Sequence, residues 1–135
     1  MNTFIVDLKH QPGELAKVTE AIATRGIDIT AFAGLTTGNS GAVALLTNDE
    51  AGTRRALDSA GLKHREMELA SISLPNRPGE LAKVARKLAD AGISIEAAFP
   101  TGMTDGKVAI GFATDNPTRT KALLGAGEPV AVGQR

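Results

Sequence analysis

Two segments of the chain combine residue types that suit the binding of an anion. They are His10-Gln11-Pro12-Gly13-Glu14-Leu15, called the first loop (10–15), and Asn76-Arg77-Pro78-Gly79-Glu80-Leu81, called the second loop (76–81). In each, a Pro-Gly pair turns the chain into a helix whose first amide groups have no partner within that helix. Free N–H groups at Gly79, Glu80 and Leu81, together with the helix dipole, predict a carboxylate site. The alternative is that such a turn only begins a helix.

The composition limits the other kinds of chemistry. The 135 residues include no cysteine and two widely separated histidines, His10 and His64. We therefore expect neither a metal site nor a cysteine nucleophile, and no cofactor. The spacing suggests no Ser/His/Asp grouping. Fifteen basic and fifteen acidic residues give zero net charge, without the basic surplus that is typical of a nucleic-acid binder.

The first residues of the sequence carry no recognisable targeting signal. The segment MNTFIVDLKH lacks the basic start, apolar stretch and cleavage site of a secretory signal, and no apolar run approaches the length of a membrane span. We therefore expect a cytoplasmic protein with no membrane partner.

The two loops belong to a longer internal repeat. The sequence PGELAKV at 12–18 recurs unchanged at 78–84, an offset of 66 residues. The same offset matches other pairs: Gly26-Ile27 with Gly92-Ile93, Ile29 with Ile95, Ala56-Leu57 with Ala122-Leu123, and Ala60-Gly61 with Ala126-Gly127. One shift without a gap aligns almost the whole chain, so we predict two domains, residues 1–69 and 70–135.

The hydrophobic period changes in the same order in both halves. Alternation predicts first strands through Phe4, Val6 and Leu8, and through Ala70, Ile72 and Leu74. Helical spacing follows, with Leu15, Val18 and Ile22 on one face of a helix at 13–25, and Leu81, Val84 and Leu88 on one face of its counterpart.

The remaining elements complete the pattern of each half. In the first half we predict strands at 27–31, 42–47 and 63–69 and a helix at 50–60; in the second, strands at 93–97, 107–113 and 128–132 and a helix at 117–125, with Gly-rich turns at 36–41 and 101–106. Each half is β-α-β-β-α-β, an α+β class of ferredoxin-like modules. Right-handed crossovers place both helices on one face of an antiparallel sheet.

The second loop and the downstream Gly92-Ile93-Ser94-Ile95 resemble the ACT domain. An Asn-x-Pro-Gly-x-Leu turn, a helix of this length and Gly-Ile-x-Ile follow one another as in that family. The first half matches more loosely, through the first loop and Gly26-Ile27-Asp28-Ile29. The resemblance implies two tandem ACT-type modules over nearly the whole chain. ACT domains sense amino acids and regulate metabolic enzymes.

The resemblance also implies where a ligand would bind. In the family, ligands sit between two neighbouring modules and touch the loop of one and the second strand of the other. Asp28 and Ser94 stand where serine-sensing members place a strand Asn, and Asn76 stands where a loop amide contacts the ligand. One predicted site pairs the second loop with Asp28, whose carboxylate would bind the ammonium of an α-amino acid.

The other predicted site pairs the first loop with Ser94. Here His10 replaces the Asn of the loop, and Ser94 carries no charge, so we expect the two sites to be unequal. His10 is otherwise an exposed polar turn residue. Asp28 has the alternative of a solvated strand carboxylate, and Arg77 either holds a ligand carboxylate or lies in solvent.

Two glutamates lie in the first helical turn after each loop. Glu14 and Glu80 favour the helix dipole and could compete with a bound anion. We expect them instead to point outward and to pair with Lys17 and Lys83, three residues further on.

The function predicted from these features is that of a regulatory protein that binds an amino acid and is not an enzyme. Acylphosphatases share the fold but need a Gly-rich phosphate loop with an essential Arg, which 9–15 does not resemble. RNA-recognition modules stack bases on aromatic residues of the sheet, and metal chaperones of this fold need a Cys-x-x-Cys loop. The alternative is a non-catalytic subunit that acts on a metabolic enzyme in trans, with degenerate ligand sites.

The third strand of each half predicts a homodimer formed through the sheet. We assign to the core Ala42, Ala44, Leu46, Val108, Ile110 and Phe112, and to the opposite face Val43, Leu45, Ala109, Gly111 and Ala113, with Ile5 beside them. Apolar residues on both faces predict burial on both, whereas the helices cover only one. A second chain is expected on the free face; the alternative is a modest exposed patch on a monomer.

Overall fold

A computed structural model of the chain describes residues 1–125. The chain divides into two compact units, one formed by Asn2–Met67 and the other by Met1 and the chain from Glu68 onward. Met1 belongs to the second unit, where its carbonyl oxygen accepts a hydrogen bond of 2.9 Å from the Leu69 amide.

The first unit has the predicted order of elements. Its elements are β1 (Asn2–Lys9), α1 (Glu14–Ala23), β2 (Ile29–Thr37), β3 (Ser40–Thr47), α2 (Glu50–Ser59) and the first residues of β4 (His64–Pro75). The strand order is β2-β3-β1-β4, and β3 is antiparallel to both β1 and β2. The βαββαβ prediction is confirmed, and β2 is the end strand of this unit.

The second unit repeats the arrangement. It contains the rest of β4, then α3 (Glu80–Asp90), β5 (Ile95–Thr104), β6 (Lys107–Thr114) and α4 (Pro117–Leu124). The strand order is β4-β6-β5, again antiparallel, so that β5 is its end strand among the described residues. The strand predicted at 128–132 lies outside the described residues.

Each unit has its own apolar core between the sheet and the helices. In the first, alternate residues of β1 and β3 pack against helix residues, the buried members being Phe4, Val6, Val18, Ile22, Ile27, Val43, Leu45 and Leu57. In the second, the buried members are Leu74, Val84, Leu88, Ile93, Phe112 and Leu124. The placement of both helices on one face of each sheet follows from these clusters.

The second helix of each unit begins with a side-chain cap, as its sequence suggests. The Asp49 carboxylate accepts a 2.9 Å hydrogen bond from the Gly52 amide before α2. The Asn116 side chain accepts one of 3.1 Å from the Arg119 amide before α4. α1 and α3 have no such cap and begin instead after a left-handed glycine.

The helices that follow the loops differ from prediction at one position. Val18 and Ile22 of α1 are buried as expected, and so are the corresponding residues of α3. Leu15 and Leu81, assigned to the same buried faces, are exposed. They lie in the first turn of each helix. Each loop therefore ends in an apolar side chain that is exposed at the surface.

The strands are longer than their patterns indicated. β2 runs to Thr37 and β5 to Thr104, so the turns predicted at 36–41 and 101–106 shrink to tight hairpins. In the second, Asp105 and Gly106 both have positive φ, 47° and 75°, as type I′ hairpin turns require. The strands predicted at 63–69 and through Ala70 to Leu74 are one continuous strand, β4.

The gap-free alignment of the two halves is wrong beyond residue 100. The pairing of β5 with β6 shifts between Pro100 and Gly102, which leaves Thr101 as an extra residue in a bulge. After this point equivalent residues are 67 apart. The hydroxyl contact between Thr47 and Thr53 recurs, at the same 2.7 Å, between Thr114 and Thr120.

The extra residue explains why the two faces of β3 were interchanged. Val43 and Leu45, assigned to the face away from the helices, lie in the core cluster with α1 and α2. In the second half Val108, Ile110 and Phe112 face the helices as predicted. When that pattern is transferred to β3 by 66 residues instead of 67, it selects the wrong set of alternate residues. A shift of one residue exchanges the two faces of a strand.

The other face of β3 is covered as well. Ala44 and Leu46 are buried within the single chain, as is Ile5 beside them on β1. The presence of apolar residues on both faces therefore does not require a second chain, and the argument that placed a dimer contact at Val43 and Leu45 is wrong.

Candidate functional site

The first and second loops have the same backbone geometry. Gly13 and Gly79, the last residues before α1 and α3, have φ of 89° and 88°. This left-handed region is open to glycine and costly for residues with a Cβ. Ahead of the glycine, each loop closes a tight turn in which the carbonyl oxygen of Lys9 or Pro75 accepts from the amide two residues later, at 3.0 and 2.9 Å.

Most residues of both loops are open to solvent. The exposed members are His10, Gln11, Pro12, Gly13 and Leu15 in the first loop, and Asn76, Arg77, Pro78, Gly79 and Leu81 in the second. Glu14 and Glu80 are the exceptions, with side chains only 12% and 15% exposed. The prediction that these two carboxylates point outward is therefore wrong.

Glu14 folds back across the first loop. Its carboxylate accepts hydrogen bonds from the Lys9 amide at 3.1 Å, the Gln11 side chain at 3.2 Å and Lys17 Nζ at 3.0 Å. These donors lie on the last residue of β1, in the loop and on α1. The predicted Lys17 pair is present, but it is one of three contacts that hold the carboxylate at the inside of the bend.

Glu80 is held differently in the second loop. Its carboxylate accepts from the Arg77 guanidinium at 3.1 Å and from Lys83 Nζ at 3.4 Å, which confirms the predicted Lys83 pair. Both cationic side chains are otherwise open to solvent. Arg77 is thus neither free in solvent nor committed to a buried partner.

The pKa values of both carboxyl groups are lowered from the ordinary value. For Glu14 the hydrogen bonds from Lys17, the Lys9 amide and Gln11 lower the pKa from 4.5 to about 2. For Glu80 the hydrogen bond from Arg77 is the main cause of a lowered pKa, with Lys83 adding to it. Both groups are therefore carboxylates at neutral pH.

The backbone donors of the second loop are fewer than the sequence suggested. Of the amides expected to be free, that of Glu80 donates to the Arg77 carbonyl oxygen at 3.4 Å. The Asn76 amide donates to the Gly106 carbonyl oxygen at 2.8 Å, so the turn between β5 and β6 supports this loop. The Asn76 side chain remains exposed.

Asp28 and Ser94 occupy equivalent positions, each just before the second strand of its unit. The Asp28 amide donates to the Asn48 side chain and the Asn48 amide returns a bond to the Asp28 carbonyl oxygen, at 3.0 and 3.1 Å. Ser94 and Asp115 repeat this exchange at the same two distances. Both residues are exposed. The pairing of each with the loop of the other half stays a prediction.

Two positions that matter for these loops were missed in the sequence. Lys9 supplies a backbone N–H to Glu14, and its counterpart is Pro75, which has no N–H to give. The signal was present in the repeat, since the two residues are 66 apart. The difference between Lys9 and Pro75 was not recognised, because a hydrogen bond from a backbone amide does not depend on the type of side chain in residues other than proline.

Within residues 1–125 no group of three or more His, Cys, Asp or Glu side chains is placed to hold a metal ion. No helix in that range is long and apolar enough to cross a membrane.

Comparison with known proteins finds similar structures but no similar sequences. No protein-family model matches the chain, and no curated protein matches it in sequence. Among solved structures, protein BT0572 from Bacteroides thetaiotaomicron superposes with a TM-score of 0.77 at 23% identity, over 92% of this chain and 85% of that one.

Two further similar structures are regulatory subunits of aspartate kinase. The subunit from Thermus thermophilus gives a TM-score of 0.65 at 20% identity, over 91% of this chain and 86% of that one. The subunit from Thermus flavus gives 0.62 at 23% identity, over 91% and 88%. At these identities the likeness concerns the fold. With the element order and strand order above, it defines the chain as a tandem pair of ferredoxin-like modules, the fold that the resemblance in the sequence implied.

Proposed function

We propose that the chain is a non-catalytic regulatory protein that binds an amino acid at its strand-to-helix loops. The observation that supports this most directly is the exposed loop that occurs twice with one geometry. In both copies a left-handed glycine opens the helix without a side-chain cap. Amides at the start of a helix are suited to a carboxylate.

The second loop offers the better set of groups for an α-amino acid. Arg77 and Lys83 are exposed cations beside the bend, and charge-assisted hydrogen bonds to a ligand carboxylate are stronger than neutral ones. The exposed Leu81 adds an apolar surface in the first turn of α3. Asp28, as partner of the ligand ammonium, and Ser94 at the weaker site complete the proposal drawn from the sequence.

The test is a thermal-shift screen of the full chain with the twenty L-amino acids, each followed by calorimetry when it stabilises. We expect at least one amino acid to raise the melting temperature in a saturable way. The matching amine without a carboxylate is the control and should have no effect. Absence of any saturable shift would remove the amino-acid proposal.

A second candidate follows from the aspartate kinase neighbours, which are regulatory subunits. In this version the chain is an interaction subunit in the cytoplasm that acts in trans on a metabolic enzyme, with an amino-acid kinase as the first class to try. The two candidate functions can be distinguished by calorimetry. Binding of such an enzyme to the chain is measured with and without each amino acid. An effect on the enzyme without any amino-acid dependence would favour the second candidate.

The proposed homodimer needs a new contact surface, and β2 supplies it. Phe32 and Leu35 on this end strand are 61% and 74% exposed. The strand, ITAFAGLTT, contains no charged residue, so two copies can pair edge to edge without opposing like charges. We therefore propose that a second copy of the chain pairs with β2.

A further inference from the structure

The two loops differ at one backbone donor, and this difference decides how firmly each holds its own carboxylate. In the first loop the Lys9 amide donates to Glu14 at 3.1 Å. In the second loop the corresponding residue, Pro75, has no N–H. Both residues hold equivalent places in their strands, since Lys9 stands opposite Ser40 and Pro75 opposite Lys107 at the hairpin ends of β3 and β6.

The consequence for Glu14 is that it is tied to three separate parts of the loop. Its donors are a backbone amide, the Gln11 amide group and the Lys17 ammonium, all within 3.2 Å. An anion that enters the bend must displace a carboxylate from all of them. A backbone donor also loses no side-chain rotamer freedom when it binds, in contrast to a long cationic side chain.

Glu80 is more easily displaced. Among the described residues its partners are the side chains of Arg77 and Lys83, which are 69% and 75% exposed. Exposed ion pairs of this kind contribute little to stability. The second loop also has a support that does not involve Glu80, because the Asn76 amide donates to the Gly106 carbonyl oxygen. Arg77 can therefore release Glu80 and donate its hydrogen bond to the carboxylate of a ligand.

We propose that the chain binds one carboxylate ligand, at the second loop, because Glu14 closes the first loop against anions. The inference rests on the proposed function and adds its stoichiometry and its regulation. Glu14 acts as an internal competitor that is fixed in place by the Lys9 amide, and proline at position 75 keeps the second loop open.

The experiment exchanges the backbone donor between the loops. Lys9→Pro removes the N–H from the first loop, at a position where the other copy shows that proline fits. Lys9→Ala is the matched control, since it removes the lysine side chain and keeps the N–H. Pro75→Ala supplies the missing N–H to the second loop.

The probe is sodium acetate, titrated into the 15N-labelled full chain against sodium chloride at constant ionic strength. The quantity measured is the change in amide chemical shift per unit of acetate concentration, called the slope. It is read at Gly13 and Leu15 for the first loop and at Gly79 and Leu81 for the second. In the wild type we expect a slope about tenfold larger at the second loop, the equivalent of one net hydrogen bond.

The variants should move the two slopes in opposite directions. Lys9→Pro should raise the first-loop slope toward that of the second, Lys9→Ala should leave it low, and Pro75→Ala should lower the second-loop slope. If Lys9→Pro does not fold, Glu14→Ala replaces it with the same expectation. Equal slopes in the wild type, no response at either loop, or a first loop still silent in a folded Lys9→Pro or Glu14→Ala chain would overturn the proposal.

These outcomes are separable from the fate of the proposed function. If acetate shifts only the second loop and no amino acid stabilises the chain, Glu14 closes the first loop as proposed, but the ligand is not an amino acid. Stabilisation by an amino acid with two equivalents bound per chain would leave the function standing and remove the closure.

Discussion

Gly13 and Gly79 are restricted by the backbone and not by lack of space. Their φ values of 89° and 88° lie in the left-handed region, and a Cβ built on either residue would meet no atom within 4 Å. A branched side chain there is strained in the backbone alone, at a cost of about 2 kcal/mol. The two positions therefore form a matched pair for testing whether the two loops are unequal in binding.

We expect Gly13→Val and Gly79→Val to lower the free energy of unfolding equally, and only Gly79→Val to weaken amino-acid binding strongly. The reason is that the second loop has the exchangeable cations, whereas the first is occupied by Glu14. Denaturant unfolding gives the first quantity and calorimetry the second. Equal losses of affinity in two folded variants would contradict the inequality of the sites.

Glu14 makes the stability of the chain depend on pH in the acid range. In the folded chain the pKa of Glu14 is about 2, compared with 4.5 for a glutamate without these contacts. The contribution of Glu14 to the free energy of unfolding is therefore present above pH 4.5 and is lost as the pH falls toward 2. The unfolding free energies of wild type and Glu14→Gln should therefore differ at neutral pH and converge between those values. Glu20→Gln, at an exposed position of α1, is the control and should run parallel to wild type. A difference that stays constant down to pH 2 would show that Glu14 is not held as described.

At the scale of elements, β2 and β5 occupy equivalent end positions but differ as surfaces for strand pairing. β5 carries Glu96, a proline at 100 and the bulge at Thr101, all of which discourage the addition of another strand. β2 has no charge and no proline. Its one irregularity lies near its start, between Ile29 and Ala31.

Phe32→Lys and Leu35→Lys should dissociate the proposed dimer, because each places a charge on an apolar edge where it would be repeated in the second copy. Met103→Lys is the matched control on β5, where Met103 is 58% exposed. Light scattering gives the mass in each case, and only the β2 variants should fall to that of one chain. A wild-type mass of one chain, or a dimer that survives both β2 variants, would rule out this contact.

Val43→Lys should unfold the first unit and not merely change its assembly. Val43 is fully buried in the core with Phe4 and Leu57, and an uncompensated buried charge costs about 3–5 kcal/mol. Met103→Lys, at an exposed position of β5, is the control and should change the unfolding midpoint little. Circular dichroism during urea unfolding measures both. A folded Val43→Lys chain of normal stability would show that Val43 is not buried as described.

The elements that sequence predicted well are those whose pattern is local. The repeated PGELAKV and the helical spacing predicted α1 and α3 and the burial of Val18, Ile22, Val84 and Leu88, but not the exposure of Leu15 and Leu81. The faces of β3 were not predictable in the same way. The correspondence between β3 and β6 depends on the bulge at Thr101, and a single inserted residue has no hydrophobic signature of its own.

The candidate site was predicted in its location on the chain but not in its internal contacts. The two loops and their glycines followed from composition and spacing. The inward fold of Glu14 did not, because it depends on the Lys9 amide coming within 3.1 Å of a side chain five residues away. Such a contact is set by the backbone path of the turn, which one sequence does not specify.

For the whole molecule, ligand binding and stability are linked. An amino acid present at a hundredfold excess over its dissociation constant should add about 2.7 kcal/mol to the free energy of unfolding, provided that it binds one site and only the folded chain. Two equal sites would add about twice as much. Denaturant unfolding with and without the ligand thus reports the number of sites by a route independent of calorimetry. A gain matching two sites would contradict closure of the first loop.

The contrast between β2 and β5 also determines where growth of an assembly stops. A chain with two open sheet edges can add neighbours at both and extend into a filament. In the described part of the chain, Pro100 and the bulge at Thr101 discourage pairing at β5, and β2 can pair with the same strand of a twofold partner. Such an isologous contact consumes the open edge of each chain at once. Among the strands of residues 1–125, such a dimer would leave neither β2 open to a further chain, and a variant that straightens β5 would provide a new edge for pairing.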